Sequence, residues 1–150
     1  MTGDTVLIAT DGSASARLAV EVGLRLARED GADVVFIHAS PEISTELFDE
    51  NAQTPDTPER IAESDPVLAE ALQKAGDLGV EARLEVLAEH GTRSIADLIV
   101  GAAAGLDAGM IVLGSRGRGP VTEAVLGSVS RAVVANAAVP VVVVHSPAGD

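Results

Sequence analysis

The chain has 150 residues, 47% of them apolar, and its 23 acidic and 10 basic side chains give a formal net charge of -13. That acid excess excludes a general nucleic-acid binder, which needs a basic face against phosphates, and disfavours docking on anionic membranes. Zero cysteines exclude disulfides, thiolate zinc sites and iron–sulfur clusters, while a single lysine, Lys74, preceded by Gln73, excludes a Walker-type phosphate loop.

Thr5 to Thr10 is a short apolar run, the pattern of a strand buried on both faces rather than of a signal peptide. No run of about 18 uncharged apolar residues follows, so a soluble, cytoplasmic protein is expected. Asp11-Gly12-Ser13 breaks the strand and can cap a helix. Leu18, Val22 and Leu26, with Val20 and Leu24 beside them, predict a helix that stops at Gly31. Asp33 to His38 is a second buried strand. Residues 40–66 differ in kind: eight acids, one base and four prolines predict an acidic, mobile loop. Asp65-Pro66 reads as an N-cap followed by proline at the first helical position. Leu68, Ala71, Leu72 and Ala75 form the buried stripe of the next helix, which Gly79 ends. Val80 to Ala88 alternates as a third strand, and Thr92 or Gly91 opens a third helix with Ile95, Leu98, Ile99 and Ala102 inward. Met110 to Leu113 is the fourth strand, Ser128 to about Ala138 the fourth helix, and Val141 to Val144 the fifth strand. Strand and helix alternate throughout, which predicts one α/β domain over 1–150 with a parallel sheet and right-handed crossovers.

The most informative segment is Gly114-Ser115-Arg116-Gly117-Arg118-Gly119-Pro120, running on to Gly127-Ser128. It leaves the C-terminal end of a buried strand and enters a helix, the edge where open α/β sheets bind ligands. Glycines let backbone N–H groups approach phosphate oxygens, and a helix N-terminus adds partial positive charge. Arg116 and Arg118 supply charge for phosphates, and Ser128 supplies a hydroxyl. The bland alternative is an ordinary strand–helix connection. Residues 113–131 carry three arginines and one glutamate, so this stretch is +2 within an acidic chain.

Gly114, Gly117, Gly127 and Ser128 match Gly-x2-Gly-x9-Gly-Ser/Thr, and in this the chain resembles the universal stress protein family. Ala9-Thr10-Asp11-Gly12-Ser13, Ile111 to Ser115, Gly127 to Ser130 and Pro140 to Val144 extend the resemblance to the whole chain outside the acidic loop. The family implies an open five-stranded parallel sheet of order 3-2-1-4-5 with helices on both faces, an adenine nucleotide alpha hydrolase-like fold. It also implies ATP, with Mg carried on its phosphates, in the crevice between strands 1 and 4. The implied binding residues are Ala9, Thr10, Asp11, His38, Ala39, Gly114, Ser115, Arg116, Gly117, Arg118, Gly127, Ser128 and Val129. Asp11 would accept from ribose hydroxyls; its other reading is a helix N-cap. Backbone near Ala39 would face adenine. The family also pairs its last strand across a two-fold axis, so a homodimer through Val141–Val144 is expected. Two departures stand out: Ala39 where valine is common, and Gly91-Thr92-Arg93 without the family's proline.

Other chemistries lack their residues. His38, His90 and His145 have no metal-ligand spacing, and no Gly-x-Ser-x-Gly elbow supports acyl transfer. A phospho-accepting receiver needs a lysine after its last strand, where His145 stands. A flavodoxin would meet the Asp11 anion at its phosphate site, with no Trp or Tyr to cover the ring. An adenylating enzyme needs Ser-Gly-Gly-x-Asp-Ser or His-x-Gly-His, and neither occurs. Nothing in sequence sets Glu123 beside an attacking water, so slow hydrolysis at most is expected. The chain therefore reads as a nucleotide-dependent switch, with an empty-site dimeric scaffold as the alternative and no protein partner identified.

Overall fold

The computed structural model describes residues 4–38, 65–85, 94–115 and 126–146. Five strands and four helices appear among them: β1 (Thr5–Thr10), α1 (Ala14–Asp30), β2 (Asp33–His38), α2 (Pro66–Asp77), β3 (Ala82–Glu85), α3 (Ile95–Gly105), β4 (Met110–Gly114), α4 (Ser128–Asn136) and β5 (Val141–Val144). The strands are all parallel in one sheet of order β3-β2-β1-β4-β5, as the resemblance implies.

Alternation along the central strands splits the core into two layers. Val6 and Ile8 of β1, Val34 and Phe36 of β2 and Val112 of β4 pack under α1 and α2, against Leu24 and Leu68. Leu7 and Ala9, Val35 and Ile37, and Ile111 and Leu113 pack on the opposite face under α3 and α4, against Ile99 and Val133. Helices that follow β1 and β4 therefore lie on opposite faces. This reversal is the topology at which open α/β sheets place a ligand crevice, here at the C-terminal ends of β1 and β4.

Several elements differ in detail from their sequence reading. The fully buried stripe of α1 is Ala16, Ala19, Val20, Gly23, Leu24 and Ala27, while Leu18, Val22 and Leu26 are half-buried. Close packing contributes: a Cβ on Gly23 would fall 2.5 Å from Ile8 Cδ1, and small residues share the buried side with Val20 and Leu24. Leu72 is likewise half-buried on α2. β3 is Ala82–Glu85 rather than starting at Val80, with Val80, Ala82 and Leu84 packed on the core as the alternation predicts, and the expected continuation through residues 86–88 lies outside the described residues. The third helix is opened by Ser94, whose Oγ accepts from Asp97 N at 3.1 Å, and not by Gly91 or Thr92. The acidic stretch lies outside the described residues up to its last two, Asp65 and Pro66, which form the expected cap.

Candidate functional site

The C-terminal ends of the strands meet along one edge of the sheet. Thr10 pairs with His38, Ala9 with Leu113, and Gly114 with Val144, so Asp11, His38 and Ser115 share that edge.

The turn out of β1 is a local hydrogen-bonded unit. Asp11 Oδ1 accepts from Ser13 N at 2.9 Å, and Thr10 Oγ1 accepts from Gly12 N at 3.2 Å. Gly12 has φ 83°, the left-handed region where a side chain would be strained. Ser13 is the N-cap of α1, its Oγ accepting from Ala16 N at 3.3 Å. Asp11 is thus not the helix cap. It is a half-buried carboxylate that spends one oxygen on the turn and keeps the other without a partner among the described residues.

Gly114 ends β4 directly against the start of α1. A Cβ there would sit 2.5 Å from Ser15 Oγ and 2.7 Å from the backbone N of Ala16. Close packing of strand on helix therefore requires glycine at this position, independently of any ligand contact.

Beyond Gly114 the chain leaves the edge and comes back to it. Ser115 N donates to Val144 O at 2.8 Å, which extends the β4–β5 ladder by one bond. Ser115 O accepts from Gly127 N at 2.7 Å, so positions twelve apart in sequence meet at the start of α4. Ser130, 3% exposed, lays its hydroxyl 2.9 Å from Ser115 O and 3.1 Å from Gly127 O. Gly127 is the N-cap of α4 and offers no side-chain cap. The first-turn amides of Ser128 and Val129 have no intrahelical acceptor and carry the positive end of the helix dipole. Ser128 itself is exposed, and Val129 leans on the core. The Oγ of Ser115, in a residue 1% exposed, is a buried polar atom with no partner among the described residues. A buried hydroxyl left unpaired is costly, and a ligand oxygen would satisfy it.

His38 closes β2 with Nδ1 2.6 Å from Asp65 Oδ2. The other oxygen of Asp65 accepts from Val67 N at 3.0 Å and Leu68 N at 3.2 Å. Burial pushes this carboxyl up, but the bonds from His38 and Leu68, the charge of His38 and the Val67 amide outweigh it and hold Asp65 below its ordinary value.

Of the residues expected at the site, Thr10, Asp11, His38, Gly114, Ser115, Gly127, Ser128 and Val129 lie at or next to this edge, whereas Ala9 is 3% exposed with its side chain in the core. Ala39, Arg116, Gly117 and Arg118 lie outside the described residues. Sequence reading missed two participants. Ser130 looks like any small polar residue on a helix, and Asp65 meets His38 only across 27 positions. A groove of about 560 Å³ between α1 and α2 reaches the same edge at Thr10, Gly12 and Ser146. Its walls mix Arg17 and Lys74 with Glu21, Glu70 and Asp77, and of the expected binding residues it includes Thr10 alone.

An α/β sheet with a crevice at its switch point and an uncapped helix terminus facing it defines a class of anion- and nucleotide-binding folds. The sequence model of the universal stress protein family matches residues 3–145, and the chain belongs to that family. It is 36% identical to the universal stress protein encoded in the 3′ region of the QAH/OAS sulfhydrylase gene of Thermus aquaticus, over 94% of this chain and 98% of that one. Among solved structures it is similar to the Archaeoglobus fulgidus universal stress protein in complex with dAMP, with a TM-score of 0.67, 26% identity and coverage of 96% and 99% of the two chains. It is also similar to a universal stress protein in complex with cAMP, with a TM-score of 0.63, 25% identity and coverage of 97% and 98%. No described helix is long and apolar enough to cross a membrane.

Proposed function

We propose that this protein binds an adenine nucleotide, ATP with its Mg, across the crevice between β1 and β4 and works as a nucleotide-dependent switch. The observation that carries the reading is the uncapped N-terminus of α4, pinned to the sheet edge through Ser115 O and Gly127 N, at a residue whose Oγ has no partner among the described residues. Phosphate oxygens are the ligand chemistry such a terminus favours. The two similar structures that hold dAMP and cAMP support an adenine ligand.

In this reading the free oxygen of Asp11 accepts from the ribose hydroxyls, and the ends of β1 and β2, from Ala9 and Thr10 to His38 and Ala39, flank adenine. The phosphates run toward Gly114, Ser115, Gly127, Ser128 and Val129, with Arg116, Gly117 and Arg118 completing their surroundings. Mg, carried on the phosphates, would neutralise part of their charge. Among the described residues no group of three or more acids or histidines could hold a metal ion without them. Hydrolysis is slow or absent in this reading, and the output is the ordered loop, read by a second copy or a partner. The second copy is favoured by one observation: β5 is an edge strand whose four valines are all half-exposed.

Calorimetric titration with ATP and Mg tests the reading. Micromolar-range binding is expected, weakened about tenfold or more in Asp11→Ala through loss of a charge-assisted acceptor. The absence of any binding heat or co-purifying nucleotide would leave the dimeric scaffold.

A further inference from the structure

We infer that Ser130 is a positioning residue that closes the base of the glycine loop and thereby seats the phosphate limb of the ligand; the seating half rests on the nucleotide reading above. A hydroxyl has one proton to donate, and that of Ser130 stands within reach of two carbonyl oxygens, Ser115 O at 2.9 Å and Gly127 O at 3.1 Å. These two oxygens belong to the residues where the loop leaves the sheet and where it enters α4. The carbonyl of Ser115 also takes the Gly127 amide at 2.7 Å, so both its lone pairs are used by the returning end of the loop.

Each end is in turn fixed to a rigid element. Ser115 N is held by Val144 O of β5, and Gly127 O accepts the first helical bond of α4 from Arg131 N at 2.9 Å. Ser130 sits between them at 3% exposure, where water cannot stand in for its hydroxyl. Without it the Ser115–Gly127 contact rests on a single bond, and the first turn of α4, although Val129 and Val133 still pack on the core, is held less firmly against β4. A shift of that terminus moves the Ser128 and Val129 amides, which face phosphate. It leaves the ends of β1 and β2, where base and ribose would lie, in place. Ser130 therefore governs affinity for the phosphates and not for the nucleoside.

The test compares wild type with Ser130→Ala in two measurements. In calorimetry, the variant should bind ATP with Mg about fivefold more weakly, the value of one hydrogen bond, while its affinity for adenosine is unchanged. In amide hydrogen exchange, protection of Gly127 should drop about fivefold or more, while Leu7, Ile8 and Val35 in the central strands keep theirs. Equal loss for ATP and adenosine would overturn the seating role, and unchanged exchange at Gly127 would overturn the closing role. If the wild type binds neither ligand, the nucleotide reading and the seating role fall together. The exchange measurement then decides the closing role alone. A variant that loses protection everywhere has lost its fold, and overturns the claim that Ser130 acts locally.

Discussion

At the scale of the residue, the site depends on groups whose two ends do different work. Asp65 gives one oxygen to the first amides of α2 and the other to the ring of His38, tying the end of β2 to a helix on the same face. Its carboxyl is held below its ordinary value, so the sign of its contribution follows from linkage. A depressed pKa adds stability in full above the unfolded value, near pH 4, and that stability is lost as pH falls through the folded value. Asparagine keeps the capping oxygen but not the charge. Urea unfolding of Asp65→Asn should thus show a loss of about 1–2 kcal/mol at pH 7, shrinking toward pH 3, where the wild type loses its own advantage. A gap that stays constant across the acid range would mean that the pair carries no charge. Neither Asp65 with His38 nor Ser130 with Ser115 was legible in the sequence. Such pairs follow from which ends the sheet brings together, and no local pattern encodes that. Asp11, Gly114 and Gly127 were legible because the break after the first strand and the spacing of the glycine signature mark their positions, although the packing of Gly114 on α1 was not.

At the scale of the element, hydrophobic runs located β1, β2 and β4, since a parallel strand buried on both faces has almost no polar positions; the valine run located β5 and alternation located β3. They misplaced the buried stripe of α1, because periodicity weights large side chains, and of those on this helix only Val20 and Leu24 are buried while Leu18, Val22 and Leu26 lie to the side. Small residues, Ala16, Ala19, Gly23 and Ala27, share the buried side with those two. β5 shows the complementary case, four apolar residues that are only half covered. Pro140 O and Val144 O accept from β4, and the alternation of a parallel ladder then turns the N–H and C=O of Val141 and Val143 outward. If a second copy pairs there, Val143→Pro should abolish the dimer while leaving the β4 ladder intact, because it removes an outward amide only. Light scattering after size exclusion checks this: the expected result is a dimer for the wild type and a folded monomer for the variant. A monomeric wild type would remove the proposed pairing altogether.

At the scale of the whole molecule, the charge of -13 with a single lysine sets how the fold meets its solvent. Among the described residues two ion pairs join Lys or Arg to carboxylates, Arg17–Glu70 and Arg25–Glu21, and both are largely exposed. Pairs of that kind offset little of the repulsion in a chain so acidic. Added salt screens that repulsion, with a Debye length near 3 Å at 1 M. The urea midpoint should therefore rise from 0.1 to 2 M KCl, and full stability at low salt would count against a chain adapted to high salt. The excess of acid is compatible with a phosphate ligand because it is unevenly spread, with residues 113–131 at +2. Two stretches leave the same sheet edge, and each returns to a partner bonded to its point of departure, Ser115 with Gly127 and His38 with Asp65. Ends fixed in this way pass no tension to the sheet, so the chain between them can grow or shrink at the expense of closure entropy alone, about 0.6 kcal/mol for each doubling of length. Between His38 and Asp65, inserted reporter domains or newly acquired segments would be tolerated with the five strands undisturbed beneath them; between Ser115 and Gly127 the sheet would tolerate them equally, at the expense of the proposed phosphate contacts.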